Sequence, residues 1–159
     1  MTQEAEIVLT PSGHEKLEQR LDYLRNVRRR EVADRLRDSK QFGDLTENAE
    51  YEDAKQEQAL VESQIGEIRR ILQISQVLDR DDIPTEYVGI GSIVKMTNTD
   101  NDDEWELTLV GSVEADPDNE LISDESPIGE ALMEQKVGDV VTIQVPNGVV
   151  QYKIESIRK

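Results

Sequence analysis

The spacing of apolar residues divides the chain into two parts with different periods. From residue 11 to about residue 42, apolar side chains recur at steps of three and four, which is typical of one face of an α-helix. This stripe, which loosens around a run of arginines, consists of Leu17, Leu21, Leu24, Val32 and Leu36. Thr10 and Pro11 predict the helix start, because a hydroxyl caps the first turn and proline is tolerated there. Gly43 predicts its end.

A second helical pattern extends from about residue 45 to residue 78. Its apolar positions follow the seam of a coiled coil, at Val61, Ile65, Ile68 and Leu72. Only a few residues, 42–46, separate the two patterns, so the helices must be antiparallel neighbours. Arms of roughly 30 residues predict a rod on the order of 45 Å long with a narrow tip.

The remainder of the chain follows a break at residues 79–91, which contains Pro84, and its period is two. Alternation and turn residues predict strands at 92–97, 105–110, 140–145 and 149–157, with a short helix at 126–133. The last two strands form a hairpin around Pro146-Asn147-Gly148. We therefore predict an α+β protein: an antiparallel coiled-coil helical hairpin in residues 1–79 and a small, mainly β domain in residues 80–159, with Trp105 in its core.

Composition narrows the classes of function. The 159 residues include no cysteine and one histidine, His14, which excludes disulfides, thiolate metal sites and a two-histidine metal site. No apolar run approaches the ~20 residues that a membrane span needs. The acidic N-terminus also lacks the pattern of a signal peptide. We expect a cytoplasmic protein with no membrane partner.

The net charge of −17 is unevenly distributed. Residues 1–79 carry 17 acidic and 12 basic side chains, net −5, whereas residues 80–159 carry 18 and 6, net −12. Nucleic-acid phosphates repel so acidic a chain. Six arginines of the first helix nevertheless cluster within thirteen residues and can make one confined anionic contact: Arg25, Arg28, Arg29, Arg30, Arg35 and Arg37.

The segment between the helices holds the most specific motif, Gly43-Asp44-Leu45-Thr46-Glu47-Asn48-Ala49-Glu50-Tyr51. Spacing alone favours a capping box, in which Asp44 and Glu47 serve the free backbone N–H groups of the second helix. The alternative is a metal role. Mg²⁺ prefers oxygen ligands and usually takes one or two carboxylates together with waters and substrate phosphates.

This motif, preceded by Val27-Arg28-Arg29, resembles the Gre family of transcript-cleavage factors. The resemblance covers nearly the whole chain and includes Leu9-Thr10-x-x-Gly13-x-x-Lys16-Leu17, Ile122-Ser123 to Ser126-Pro127, Gly138-Asp139-Val140-Val141 and Pro146-Asn147-Gly148. The chain departs from the family where proline commonly follows the two arginines, because Arg30 stands there. That residue either lengthens the basic patch or straightens the helix.

The resemblance implies a function exerted on another protein. Gre factors insert their hairpin through the secondary channel of bacterial RNA polymerase, where two tip acids help to hold the second catalytic Mg²⁺. By position these acids are Asp44 and Glu47. The polymerase then cleaves the 3′ end of backtracked nascent RNA and resumes synthesis. The chain would thus be an accessory factor and not an enzyme, a monomer with no cofactor of its own that shares Mg²⁺ with the polymerase.

Two further surfaces are implied by the resemblance. The family's small domain has an FKBP-like fold and docks on the rim of the channel; the candidate docking residues are Ser126, Pro127 and Ile128. The family's basic patch faces the extruded RNA and corresponds to Arg25, Arg28, Arg29, Arg30 and Arg37. The alternative for these arginines is a solvated helix face, paired with acids such as Glu31 and Asp34.

Three rival functions are weaker. A Gre-like protein that occupies the same channel and regulates or inhibits the polymerase would not need the spacing of Asp44 and Glu47. A coiled-coil adaptor unrelated to transcription would not need the tip motif. A free-standing nuclease is weakest, because two carboxylates and one distant histidine cannot assemble a complete metal site.

Overall fold

The computed structural model describes residues 6–40 and 45–159, and for residues 45–48 it describes the backbone alone. The chain forms two units. One comprises His14–Ile74, and the other comprises Ser75–Lys159 together with the first segment of the chain, up to Gly13. The predicted division between residues 79 and 80 stays a prediction.

The first helical segment contains one wider turn. Its parts are α1 (Pro11–Tyr23), a π-helical turn (Leu24–Arg28) and α2 (Arg29–Ser39). The backbone N–H of Arg29 donates to the Leu24 carbonyl and so closes the wide turn. A π-turn holds about one residue more than an α-turn. This extra residue accounts for the long step in the apolar stripe from Leu24 to Val32, both of which are buried.

The helix α3 (Leu45–Ile74) packs antiparallel against this segment. Arg29 pairs with Glu62 on α3, whereas Arg35, further along α2, pairs with an earlier α3 residue, Glu57. The apolar side chains between the helices are Leu21, Leu24, Val32, Val61 and Ile65, with Ile68 and Leu72 packed against them. The predicted seam and the predicted hairpin are therefore confirmed. The 30 residues of α3 span about 45 Å.

Two short strands flank the helices and pair with each other in parallel: β1 (Val8–Leu9) and β2 (Gln76–Val77). The Gln76 N–H donates to the Ile7 carbonyl at 2.8 Å. The Leu78 N–H donates to the Leu9 carbonyl at 2.9 Å. The prediction that the second helix continues to about residue 78 is wrong, because the chain beyond Ile74 leaves the helix to form β2.

The second unit is built around a five-stranded sheet with the order β5-β4-β3-β7-β6. Its strands are β3 (Ile93–Asn98), β4 (Glu104–Val110), β5 (Leu121–Ser123), β6 (Val140–Val145) and β7 (Gly148–Arg158). All neighbouring pairs are antiparallel except β4–β5. The strands β3, β4, β6 and β7 confirm the four strands that alternation predicts, whereas β5 has no counterpart in the prediction. The α+β class is confirmed: a helical region is joined to a β-sheet domain.

The core of the sheet domain lies between the strands and the short helix α4 (Pro127–Leu132). Its buried side chains include Val94, Met96, Leu107, Leu109, Leu132, Ile143 and Ile154. Trp105 packs at the margin of this core and is only partly buried, and its Nε1–H donates to the Glu120 carboxylate at 2.5 Å. The core position predicted for Trp105 is thus a border position.

The start of α1 is capped in two ways. The Thr10 hydroxyl oxygen accepts from the Gly13 N–H at 3.0 Å, as the sequence predicts. Glu114 accepts from the Thr10 N–H at 2.9 Å and from the Thr10 hydroxyl at 2.6 Å. A carboxylate is favourable beside a helix N-terminus, where the helix dipole is positive. Because Thr10 is buried, this cap is largely shielded from water.

Candidate functional site

The tip motif stands at the start of α3. The helix begins at Leu45, which places Glu47 in its first turn. Asp44 and the side chain of Glu47 lie outside the residues that the structure describes. Both the capping role and the metal role of these two acids therefore stay predictions.

Tyr51, the last residue of the motif, lies between two lysines. Its ring centroid is 5.7 Å from Nζ of Lys40 and 5.0 Å from Nζ of Lys55. Lys40 directly follows α2, whereas Lys55 stands one turn further along α3. The face of an aromatic ring attracts a cation. The half-buried Tyr51 therefore connects the end of α2 with the first turns of α3, close to the tip.

Three arginines of the cluster bond to acids on α3. Arg28 and Arg35 both pair with Glu57, which bridges them. Arg29 donates to both carboxylate oxygens of Glu62, from Nε at 2.7 Å and from Nη2 at 2.9 Å. The hydrogen bonds between these two groups lower the pKa of Glu62 and raise the pKa of Arg29. These pairs hold α2 beside α3.

Arginines of the cluster also pair with acids of the first helical segment itself. Arg28 pairs with Glu31 at 3.0 Å, and Arg37 pairs with Asp34 at 3.2 Å. Glu31 and Asp34 are the acids named by the interpretation of a solvated helix face. Part of the positive charge of the predicted basic patch is therefore neutralised by neighbouring carboxylates.

Arg25 and Arg30 differ from the other members of the predicted basic patch. Both are exposed. No carboxylate among the described side chains, residues 6–40 and 49–159, lies within the 4.0 Å of an ion pair from either guanidinium. Arg30 also occupies the position where the family commonly has proline. The uncompensated positive charge of the patch is concentrated on these two residues.

The three candidate docking residues begin α4. The Ser126 hydroxyl donates to the Ser123 carbonyl at 2.7 Å, and its oxygen accepts from the Gly129 N–H at 3.1 Å. Pro127 occupies the first turn and is exposed, whereas Ile128 packs against the sheet core. Ser126 and Ile128 thus have structural roles, and Pro127 is the most accessible of the three.

The described side chains form no metal-binding cluster, and the described helices include no membrane span. Among the described side chains, which are those of residues 6–40 and 49–159, no group of three or more histidine, cysteine, aspartate or glutamate residues is placed to hold a metal ion. No helix in the same part of the chain is long and apolar enough to cross a membrane.

Sequence reasoning missed the acids on α3 that neutralise the arginines. Glu57 and Glu62 are 22 and 33 residues away from Arg35 and Arg29 along the chain. A usable signal was present, because residues equidistant from the turn of an antiparallel hairpin lie beside each other. The exact partners still depend on the π-helical turn, which shifts the faces of the first helical segment.

Comparisons with known proteins extend over both units. A family described as "Transcription elongation factor, N-terminal" matches residues 7–77, and one described as "Transcription elongation factor, GreA/GreB, C-term" matches residues 83–159. The transcription elongation factor GreA of Thermoanaerobacter pseudethanolicus is 48% identical over 153 residues, which are 96% of this chain and 98% of that protein. GreA of Acetivibrio thermocellus is 48% identical over 159 residues, 100% of both chains.

Among solved structures, GreA factor homolog 1 of Thermus thermophilus is 30% identical and covers 97% of this chain and 99% of that one, with a TM-score of 0.44. The family assignment rests on the sequence matches, which include the hairpin with its tip motif as well as the sheet domain. This chain belongs to the GreA/GreB family of transcription elongation factors.

Proposed function

We propose that this chain stimulates the intrinsic RNA-cleavage activity of bacterial RNA polymerase. Its hairpin tip enters the secondary channel and acts on complexes in which the 3′ end of the nascent RNA has backtracked. The observation that carries the proposal is the pair Asp44-x-x-Glu47 where the second arm of an antiparallel hairpin begins, in a chain whose relatives are named transcription elongation factors.

The hairpin is much longer than it is wide. One α-helix with its side chains is about 10–12 Å wide, and α3 is about 45 Å long. Its apolar seam and the pairs Arg29–Glu62 and Arg35–Glu57 hold the two arms side by side. A thin arm of this kind can bring two acids to a recessed site without filling the passage that leads to it.

The donor set at the tip suits Mg²⁺. Asp44 and Glu47 offer hard carboxylate oxygens, and Mg²⁺ usually takes only one or two carboxylates with waters and substrate phosphates. When bound, the ion stabilises the attacking and leaving oxygens of an in-line phosphodiester displacement. The two acids supply negative charge and position, and the polymerase active site supplies the remaining ligands. The chain therefore carries no cofactor of its own and acts as an accessory factor.

Within the basic patch, the proposal assigns contact with the extruded RNA chiefly to Arg25 and Arg30. Both are exposed and have no ion pair among the described side chains, so their charge is available to phosphates. Arg28, Arg29 and Arg37 also belong to the patch, but their carboxylate partners offset much of their charge.

The sheet domain completes the proposal as the docking module. It sits on the rim of the channel through the start of α4, where Pro127 is exposed between Ser126 and Ile128. A single copy binds one polymerase, in the cytoplasm. The strongly acidic surface of residues 80–159 is consistent with a protein contact and disfavours contact with nucleic acid.

The experiment is RNA cleavage in a stalled, backtracked elongation complex with and without the full chain. We expect the chain to accelerate release of a short 3′ RNA fragment and to restore extension of the shortened transcript. Binding to polymerase that slows extension without cleavage would replace the proposal with the rival function, a channel binder that inhibits. If the chain does not bind polymerase at all, both the proposed function and this rival function are wrong.

A further inference from the structure

The strand β6 is an open edge of the five-stranded sheet. It is the last strand in the order β5-β4-β3-β7-β6. Within residues 6–40 and 45–159, its backbone hydrogen bonds all go to β7. The opposite edge is less accessible, since β5 has only three residues and Asp116 bridges to Leu121 beside it.

Alternate backbone groups of β6 point away from the sheet. At the start of the β6–β7 ladder, the Ile154 N–H donates to the Asp139 carbonyl at 2.9 Å. Bonded and non-bonded pairs alternate along an antiparallel ladder. Val141 and Ile143 therefore exchange hydrogen bonds with β7. The residues whose N–H and C=O groups face outward are Val140, Thr142 and Gln144.

The six residues of β6 themselves lack the features that normally block strand addition. Natural edge strands are protected by charged side chains, proline or bulges. The six residues of β6 read Val-Val-Thr-Ile-Gln-Val, with no charge and no proline, and their register with β7 is regular. On the outer face, Val140 is 51% exposed and Val149, on the adjacent β7, is 57% exposed. The outward-facing backbone groups of β6 and the exposed valine side chains beside them can therefore pair with another strand.

We propose that β6 binds an extended, basic segment of a partner protein by β-strand addition. Main-chain hydrogen bonds supply the affinity in this mode, and alternate side chains supply the specificity. Charge selects the partner: residues 80–159 carry a net −12, so an acidic segment is repelled. A second copy of this chain, with its own net −17, is disfavoured for the same reason. Val140 and Val149 favour β-branched side chains on the outer face of the added strand. The inference does not depend on the tip.

The test uses the full chain and two variants at one outward-facing position. Thr142→Pro removes the outward N–H and places a ring in the path of the added strand. Proline is tolerated on an edge strand at such a position, and the preceding Val141 is already extended. Thr142→Ala removes the side chain but keeps the N–H, and is the matched control. Thermal unfolding of both variants, followed by circular dichroism, verifies that they fold.

The probe is a capped synthetic peptide of alternating valine and lysine, with the valine and glutamate version as its counterpart. We expect the lysine peptide to bind the wild type and Thr142→Ala alike, and Thr142→Pro roughly tenfold or more weakly, as the loss of backbone hydrogen bonds requires. In the wild type, amide exchange at Val140, Thr142 and Gln144 should slow when this peptide is added. This second measurement does not depend on any variant.

Four outcomes would overturn the proposal. One is failure of the lysine peptide to bind the wild type. Another is equal binding of this peptide to both Thr142 variants, which would indicate non-specific electrostatic attachment elsewhere. The third is unchanged amide exchange at the three outward-facing residues. The fourth is self-association of the wild type that Thr142→Pro abolishes, which would assign the edge to a second copy. None of these outcomes affects RNA cleavage, so the proposed function is tested separately.

Discussion

Arg29 and Glu62 form a bidentate ion pair between α2 and α3, with Nε–Oε1 at 2.7 Å and Nη2–Oε2 at 2.9 Å. A guanidinium that uses two donors on one carboxylate has a fixed orientation as well as a compensated charge. The pair is exposed, so solvent and salt weaken it. Its main consequence is that Arg29 offers less charge to an RNA phosphate than an arginine without a partner.

Stability of the hairpin should depend on pH through Glu62. The hydrogen bond from Arg29 lowers the pKa of Glu62 in the folded chain below its usual value. The stabilisation is therefore present above the unfolded pKa and is lost as the pH falls through the folded pKa. We expect Glu62→Gln to lower the melting temperature slightly at neutral pH and to have no effect below the folded pKa. Thermal unfolding at a series of pH values, at low and high salt, measures this.

The control for this experiment is Glu52→Gln. Glu52 is an exposed α3 residue with no ion pair among the described side chains. This variant should show no comparable pH-dependent difference. If Glu62→Gln lowers the melting temperature by the same amount at every pH, the effect comes from packing and not from the ion pair.

Paired and unpaired arginines should contribute differently to RNA contact. We expect Arg25→Gln with Arg30→Gln to weaken cleavage stimulation most on long extruded RNA, because these charges are not offset within the described residues. Arg29→Gln with Arg37→Gln removes the same charge and is the matched control, with a smaller effect. The slope of log affinity against log salt should fall by about 0.7 per lost phosphate contact. Equal losses in both double variants would contradict the division of the patch.

The sequence predicted the elements that have a sustained period. The α3 seam at Val61 and Ile65 and the four longer strands were readable, because each repeats its pattern over several turns or residue pairs. The strands β1 and β2 have two residues each, too few to show a period, and they form only by pairing across the whole hairpin. That pairing also ends α3 at Ile74, against the helical pattern that continues in the sequence.

For the site, sequence and structure contribute different parts. The tip acids and the arginine cluster were found from sequence alone, since motif and composition mark them. The sequence did not predict that Arg29 has an ion-pair partner whereas Arg30 has none among the described side chains. This difference depends on which arginine lies opposite Glu62 on α3. The π-helical turn at Leu24–Arg28 determines which residues of the two helices face each other. Such a turn cannot be reliably predicted from the residue types that form it.

Gly129 should tolerate no side chain. A Cβ at this position would overlap the backbone carbonyl oxygen of Ser123, which cannot move aside as a side chain can. We expect Gly129→Ala to destabilise the sheet domain by about 1–3 kcal/mol, as overpacking does. The single tryptophan, Trp105, lies in this domain and reports its unfolding in denaturant by fluorescence.

The matched substitution is Gly66→Ala on α3. Beyond the neighbouring backbone of its own helix, no atom lies within 4 Å of the position that its Cβ would take, and the residue is exposed. Alanine is favoured over glycine within a helix by about 1 kcal/mol. We therefore expect this variant to stabilise the hairpin, measured by the helical circular dichroism signal. We expect Gly129→Ala to lower stability and Gly66→Ala to raise it. A Gly66→Ala variant that is less stable than the wild type would contradict this expectation.

The two interpretations of the tip can be separated because capping and metal binding need different chemistry. Asparagine caps a helix about as well as aspartate, and glutamine can replace glutamate in a capping box. Asp44→Asn and Glu47→Gln should therefore cost less than the ~1 kcal/mol typical of losing a cap. Loss of the favourable charge near the start of α3 adds about 0.3–1 kcal/mol for each residue.

A neutral amide nevertheless holds Mg²⁺ much less well than a carboxylate does, because the ion favours charged oxygen ligands. We expect each of the two amide variants to keep its helicity and its binding to polymerase, and to lose most of its cleavage stimulation. Raised Mg²⁺ should partly restore the activity, since mass action offsets a weakened ligand. The measurement is RNA cleavage in a backtracked complex across a Mg²⁺ titration, with polymerase binding measured in parallel. If either variant stimulates cleavage like the wild type, that residue caps α3 and does not hold the metal.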